Sequence, residues 1–115
     1  MTECTQESFA FPPCKRRQVE ARFDSGDITS DGGVLLLREA DRALGLSEAV
    51  ARALDDPRRR ASCTHDLAGL VRQRLYGLAL GYENLNDHHS LRHDLALQVA
   101  VERDKLLASA STLCP

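Results

Sequence analysis

The sequence predicts a mainly α fold in which four or five short helices surround one long central helix, preceded by a short β-strand. Leu and Ala supply most of the 43% hydrophobic residues and there is no Trp, which favours packed helices over an aromatic-rich sandwich of strands. The longest run of helical periodicity lies between residues 64 and 82. A chain of 115 residues is one modest domain at most.

The N-terminal region is predicted to be a flexible arm followed by a strand. Residues 1–17 contain Pro12-Pro13, scattered polar residues and a basic KRR triplet, so they are assigned to the arm. Residues 18–24 alternate between polar and apolar, which indicates a short strand. Residues 25–27 have the composition of a turn.

Two helices are expected next. Ser30 is predicted to cap the first, which should run to about residue 44 and end at a left-handed Gly45. Its buried face is predicted to carry residues 37, 40 and 44, with Arg38 pointing away from it. Ser47 is predicted to cap a second, short helix that buries residues 50 and 54.

The third helix is expected to be the longest and to begin at a Thr64 cap. Its apolar residues recur at steps of three and four and are predicted to form the core: Leu67, Leu70, Val71, Leu75, Leu78, Ala79 and Tyr82. Gly77 and Gly81 should each let a neighbouring helix approach closely or end the helix. Asn86 is expected to cap a fourth helix, and residues 95–101 to form another.

A dense polar segment follows the third helix. Residues 71–94 read VRQRLYGLALGYENLNDHHSLRHD, and so many polar side chains need specific partners or water. This stretch resembles the N-terminal region of DDE group 1 insertion-sequence transposases, where LRQRxYxLALGYED leads into NDHxxLRHD. Two further stretches resemble the same family in the same order: FDSGDITSDGGVLLLREADRALGL at 23–46 and LASASTL at 107–113.

The resemblance implies DNA transposition by metal-dependent cleavage and strand transfer as the function of the whole protein. It also implies that residues 18–113 are the N-terminal helical region of such a transposase. The ribonuclease-H-like core, which carries the catalytic acids and binds Mg²⁺, is then absent, and the partners of the predicted strand are expected in that core. The family is one of enzymes, but this chain is expected to have no catalytic residue and no cofactor, and therefore to be inactive on its own.

Six arginines are the candidates for phosphate contact, because guanidinium groups match phosphate oxygens and a net charge of −2 requires a local basic patch. They are Arg58, Arg59, Arg60, Arg72, Arg74 and Arg92. The alternative for the first three is a solvated loop in which Asp55 and Asp56 neutralise two of them.

Seven residues of the segment that resembles the family are interpreted as structural: Tyr82, Glu83, Asn86, Asp87, Arg92, His93 and Asp94. The acids among the arginines cancel the field that a phosphate would experience. A network in which Asp87 or Asp94 accepts hydrogen bonds from Arg74 or Arg92 is therefore favoured over direct DNA contact.

Other classes of site find little support. His89 and His93 with Cys63 and His65 could be drawn as a zinc site, but there is no CxxC or HExxH frame and no metal site is predicted. A nucleophile elbow and a phosphate loop are absent from the sequence, so no small-molecule substrate is expected. No membrane span or signal peptide is recognised, which predicts a cytoplasmic protein that is associated with the nucleoid when bound to DNA.

The sequence therefore predicts a non-catalytic transposase fragment that contributes contact with insertion-element ends or packing support. Two alternatives stay open. One is a helical binding module that acts as a truncated regulator, for example by associating with intact transposase. The other is an inert gene remnant.

Overall fold

The computed structural model describes residues 8–22, 29–58 and 63–113. Over these ranges the chain forms two strands, β1 (Ser8–Cys14) and β2 (Arg17–Arg22), followed by six α-helices. The helices are α1 (Val34–Leu44), α2 (Leu46–Ala53), α3 (Leu67–Ala79), α4 (His88–Leu91), α5 (Leu95–Ala100) and α6 (Ala110–Leu113). A 3-10 helix, Leu85–Asp87, precedes α4. The mainly α prediction is confirmed, but no long central helix exists, since α3 has 13 residues and α1 has 11.

The two strands form an antiparallel hairpin in which Phe11 lies opposite Val19. The predicted flexible arm is therefore wrong over residues 8–14, and the strand partner comes from this same chain. Cys14 and Val19 are buried with Leu35 of α1, so apolar contact with the helices holds the hairpin. Residues 1–7 and the predicted turn at 25–27 lie outside the described residues.

The larger core lies among α1, α3, α4 and α5. Here α1 packs mainly on α5, and α2 packs on α3. Its buried members are Val34, Tyr76, Leu91, Ala96, Leu97, Ala100, Val101 and Leu107. The short α5 is thus the most central element, and its prediction over residues 95–101 is confirmed.

Four predicted helix caps are wrong. The helix predicted to start at Ser30 begins at Val34 after Gly33, and Ser47 lies inside α2 rather than before it. Asp66, not Thr64, caps α3, and its side chain accepts a hydrogen bond from the Gly69 amide at 3.1 Å. Asn86 lies within the 3-10 helix, which Asn84 caps. The side chains of Asp66 and Asn84 provide two of the caps instead, and the Ser47 hydroxyl donates to Asp41. By contrast, the left-handed end of α1 at Gly45 (φ 67°) is confirmed.

Two predicted apolar faces are rotated. On α3 the buried residues are Val71, Gln73, Tyr76 and Gly77, whereas Leu78 is 43% exposed and Ala79 is also exposed. On α1, Arg38 is buried, while residues 40 and 44 of the predicted core face are exposed. Leu54 is 50% exposed as well, contrary to prediction. Polar residues face inward because the interior supplies hydrogen-bond partners for them.

The two glycines of the third helical segment behave as predicted. A Cβ atom at Gly77 would lie 3.1 Å from Cε1 of His88, so the missing side chain lets α4 approach α3 closely. Gly81 has φ +98°, a conformation that favours glycine, and it follows directly after the end of the helix.

Candidate nucleic-acid interface

The structure divides the candidate arginines among separate places. On α3, Nε of Arg72 donates to Oγ of Ser47 at 3.1 Å, and its Nη2 lies 3.9 Å from Glu48, so this side chain joins α3 to α2. Two residues later, Nη2 of Arg74 donates to the carbonyl of Glu83 at 2.9 Å. Arg59 and Arg60 lie outside the described residues.

Arg58 is held in place by two neighbours. Its Nη2 lies 2.7 Å from Oδ2 of Asp56, and its Nη1 donates to the carbonyl of His65 at 3.2 Å. Pairing with Asp56 is part of what the solvated-loop alternative expects. The second bond, however, fixes the guanidinium beside the residues that lead into α3.

A second arginine reaches the adjacent peptide group. Nη1 of Arg103 donates to the carbonyl of Thr64 at 3.2 Å, and its Nε donates to the carbonyl of Leu106 at 2.9 Å. Arg58 and Arg103 therefore bond to the carbonyls of two successive residues, which brings both arginines to the Thr64–His65 segment. Arg103 was not among the predicted candidates, because it is a single basic residue outside the long polar segment.

A third arginine, Arg92, lies close enough to influence the same place electrostatically. Burial lowers the pKa of His65, and the charges of Arg103, Arg92 and Arg58 lower it further, while Asp66 opposes them. We call Arg58, His65, Arg92 and Arg103 the His65 surface. Among the described residues, neither Arg92 nor Arg103 forms an ion pair with an acid.

A cavity of about 340 Å³ adjoins the His65 surface. Lys15, His65 and Arg103 line it together with Asp66 and Glu102, so its charges are mixed. The arrangement suits contact between the outer arginines and an extended anion better than enclosure of a single phosphate.

Two residues of the predicted structural set connect the helical body to the segment before α1. The Tyr82 hydroxyl donates to Oδ2 of Asp31 at 2.8 Å, which raises the pKa of Tyr82. Oδ2 of Asp94 accepts from Oγ1 of Thr29 at 2.8 Å, and its Oδ1 accepts from the Ala96 amide at 2.8 Å. Asp94 thus caps α5 instead of accepting from an arginine as predicted, because the helix start supplies the nearer donors.

Four other members of that set lie at the surface, while Arg92 is partly buried. Glu83, Asn86, Asp87 and His93 are exposed. Arg74 donates to a backbone carbonyl rather than to Asp87. A structural role for these four residues stays a prediction.

A buried glutamine, which the sequence did not single out, connects α3 to a distant segment. The amide of Gln73 donates to the Ala108 carbonyl at 2.8 Å and accepts from the Ala108 amide at 3.0 Å. Its Nε2 also lies 3.1 Å from Nδ1 of His88, which is fully buried. A glutamine inside an otherwise apolar helical run was the available signal.

A buried arginine connects the hairpin to the helices. Arg38 makes two bonds to Glu102, at 2.6 and 3.0 Å, and donates to the carbonyls of Pro12 and Pro13 at 2.7 and 3.0 Å. Burial would raise the pKa of Glu102, but Arg38 and Arg42 outweigh that effect and hold this pKa below its usual range. The hairpin position therefore depends on Arg38 as well as on apolar contact.

Neither a cluster of metal-binding side chains nor a membrane-spanning helix is present in the described ranges. No group of three or more His, Cys, Asp or Glu side chains there is arranged so that it could hold a metal ion. None of the helices in those ranges combines the length and apolar character needed to cross a membrane.

Comparison with known proteins gives one match. A family model described as Transposase DDE domain group 1 matches residues 11–115. No curated protein and no solved structure matches the chain. The matched range begins within β1 and contains the rest of the hairpin, each helix described above and the whole His65 surface.

Proposed function

Since the chain belongs to the transposase DDE domain group 1 family, we propose that it is a non-catalytic part of a DNA transposase and that it contacts the DNA backbone through the His65 surface. One observation carries the proposal: Arg58 and Arg103 bond to the successive carbonyls of His65 and Thr64. Two arginines held at one short segment can both contact the phosphates of a DNA backbone that passes it.

The arginines of the His65 surface are suited to phosphate in two ways. Arg103 is oriented by two backbone carbonyls, so less side-chain freedom is lost when it binds. In the described part of the chain, Arg92 and Arg103 have no acidic partner that a phosphate would have to displace. A phosphate at Arg58 would have to compete with Asp56, which lies 2.7 Å from its Nη2. Arg72 is engaged by Ser47 and lies near Glu48, and it is outside the His65 surface.

Phosphate contacts position a protein on DNA without reading its sequence. The proposed contact therefore holds the duplex, and recognition of a particular insertion-element end is assigned to other parts of the transposase. This division suits a chain with a net charge of −2, whose affinity for DNA is expected to be weak.

The non-catalytic role is supported by how the chain uses its acids. Asp41 accepts from Ser47 and Tyr76, Asp66 and Asp94 cap helices, and Glu102 pairs with Arg38. Metal-dependent strand cleavage needs carboxylates that converge on the ions. These four acids are instead engaged in holding the fold together.

We expect the triple variant Arg58→Ala, Arg92→Ala, Arg103→Ala to bind duplex DNA with a flatter salt dependence. Losing up to three phosphate contacts should reduce the slope of log K against log salt by about two to three units. The loss should be similar for element-end and random duplexes. Fluorescence anisotropy with labelled element-end and random duplexes at several salt concentrations measures the slope and the loss of affinity.

The matched control is Arg52→Ala, because Arg52 is highly exposed on α2 and pairs only loosely with Glu48. Its slope should change by less than about one unit. Circular dichroism must show that the triple variant is folded. An unchanged slope in a folded triple variant would contradict DNA contact through the His65 surface. It would instead favour contact through Arg72 and Arg74.

We also expect the purified chain not to nick or join DNA that carries element ends, with either Mg²⁺ or Mn²⁺ present. The reason is that four of its acids are engaged in structural bonds, and that the described residues contain no group of three or more His, Cys, Asp or Glu side chains that could hold a metal ion. Gel analysis of end-labelled DNA tests this. Metal-dependent cleavage that co-purifies with the chain through successive columns, and that is lost in a carboxylate variant, would overturn the non-catalytic role.

A further inference from the structure

A buried histidine of α4 takes no part in the proposed DNA contact. His88 is fully buried, and its ring lies against α3, where a Cβ atom at Gly77 would lie 3.3 Å from Nε2 of the ring. Nδ1 of the ring lies 3.1 Å from Nε2 of Gln73. Within the described part of the chain, Nε2 of His88 has no hydrogen-bond partner. The polar connection between this ring and α3 therefore runs through Nδ1.

The contacts of Gln73 determine which ring nitrogen carries the hydrogen. Oε1 of Gln73 accepts from the Ala108 amide, so its Nε2 faces both the Ala108 carbonyl and Nδ1 of His88. An amide NH2 group only donates, so Nδ1 is the acceptor and the neutral ring carries its hydrogen on Nε2. A flipped Gln73 amide would lose both hydrogen bonds to Ala108. Neutral His88 and the bonds to Ala108 are therefore compatible with one orientation of Gln73.

Proton uptake by His88 would disrupt this arrangement. A proton from solvent would bind at Nδ1 and turn it from an acceptor into a donor. Two donors would then face each other across 3.1 Å, unless the Gln73 amide rotated to present Oε1 to the ring. That rotation would direct the NH2 group at the Ala108 amide and Oε1 at the Ala108 carbonyl, so both bonds would be lost. A protonated His88 and the attachment of Ala108 to α3 therefore exclude each other.

Ala108 belongs to a segment that supports two arginines of the His65 surface. The amide of the residue before it donates to the carbonyl of Arg92 at 3.2 Å. One residue earlier still, the carbonyl of Leu106 accepts from Nε of Arg103 at 2.9 Å. Loss of the bonds to Ala108 would therefore free the backbone that orients Arg103.

We propose that His88 is a proton switch: while neutral it keeps residues 106–108 attached to α3, and on protonation it releases them together with the support of Arg103. The inference rests on the proposed function only for its consequence in DNA binding. The release itself is measured without DNA, so a failure of the switch and a failure of the DNA contact are distinguishable.

The surroundings of the ring set the direction of the switch. Burial lowers the pKa of His88 and the charge of Arg74 on α3 lowers it further, whereas Asp87, directly before α4, opposes them. His89, the other histidine of α4, is exposed, and residues 107–113 contain no ionisable side chain. A released histidine regains its ordinary pKa of about 6.5, so the released form binds the proton more tightly. The attached form is therefore favoured at neutral pH and loses stability as the pH falls below about 6.5.

NMR of the full ¹⁵N-labelled chain tests the switch. Long-range ¹H–¹⁵N spectra at about pH 7.5 should show a neutral His88 with its hydrogen on Nε2. Between about pH 7.5 and about pH 5.5, protection of the Ala108 amide against hydrogen exchange should fall about tenfold after correction for the intrinsic effect of pH, because release takes up one proton. The Tyr76 amide, inside α3, should keep its protection, which separates local release from general unfolding.

His88→Asn is the matched variant, because asparagine offers Gln73 an acceptor but takes up no proton in this range. Its Ala108 protection should be independent of pH, whereas His89→Asn should behave as the parent does. If His88→Asn does not fold, the parent decides, since its loss of Ala108 protection must follow the titration of the His88 ring. A hydrogen on Nδ1 at neutral pH, a constant Ala108 protection in the parent, or a pH-dependent one in His88→Asn would each overturn the proposal.

Discussion

We expect Gln73→Ala to lower the free energy of unfolding by about 3–5 kcal/mol. Gln73 is 1% exposed, and its amide satisfies both backbone groups of Ala108. Without it, a buried N–H and a buried C=O lose their partners, each at about 1–3 kcal/mol, and a small cavity remains. A small domain has a total stability of only about 5–15 kcal/mol. Urea denaturation followed by circular dichroism should therefore show a largely unfolded variant or a much lower midpoint.

Gln98→Ala is the matched control for this effect. Gln98 is also buried, at 6% exposure, but its side chain makes a single bond, to the Arg92 carbonyl at 3.0 Å. Its loss should cost about 1–2 kcal/mol. If the two variants were equally destabilised, the two hydrogen bonds between Gln73 and the backbone of Ala108 would contribute no more to stability than the single hydrogen bond of Gln98.

Arg38→Leu should have the second largest effect, about 3 kcal/mol, because Glu102 loses its buried partner and keeps only the exposed Arg42. Arg38 is 1% exposed, and the prolyl carbonyls of β1 would also lose their donor. Arg42→Leu is the control: Arg42 also bonds to Glu102, but its side chain is 43% exposed, so its loss should cost under about 1 kcal/mol. Thermal unfolding of both variants gives the comparison.

The ion pair between Arg38 and Glu102 makes the stability of the fold depend on pH. The folded chain holds the pKa of Glu102 below its usual range, so this pair stabilises the fold above the ordinary carboxyl pKa of about 4. That stability is lost as the pH falls through the lower pKa of the folded state. Arg38→Leu should therefore lose less additional stability below about pH 4 than the parent does. If the stability of the parent and of Arg38→Leu changed in parallel with pH, the Arg38–Glu102 pair would not be the source of this pH dependence.

The sequence predicted the class of fold and several boundaries for sound physical reasons. Gly45 adopts the left-handed conformation that its position suggested, Gly81 lies just beyond the end of α3, and Gly77 makes room for His88. Each of these depends on local backbone chemistry, which sequence shows directly. The hairpin was missed because its cohesion comes from distant contacts, chiefly with Leu35 and Arg38.

The faces of the helices were harder to predict. Periodicity assumes that polar residues point outward, yet Arg38, Gln73 and His88 are among the most deeply buried side chains. Each finds its partners on segments far away in sequence, and no helical pattern contains that information. For the same reason Leu44 and Leu78 were assigned to the core although both are exposed.

The candidate interface was predictable in part. Arg58 and Arg92 were selected from sequence, and both lie at the His65 surface. Arg103 was missed because the fold, not the sequence neighbourhood, brings it to Thr64. Whether Arg72 and Arg74 reach DNA remains a prediction, and their contacts to Ser47 and Glu83 favour a structural use.

The most direct test of the proposed DNA contact is an NMR titration of the ¹⁵N-labelled chain with a short random duplex at low salt, following backbone amides and arginine Nε–H groups. We predict that the largest shift changes occur at Arg58, His65, Arg92 and Arg103, and that they shrink together as salt is added. Changes concentrated around Arg72 on the α2 side of α3, or no changes even at the lowest salt, would contradict the proposal.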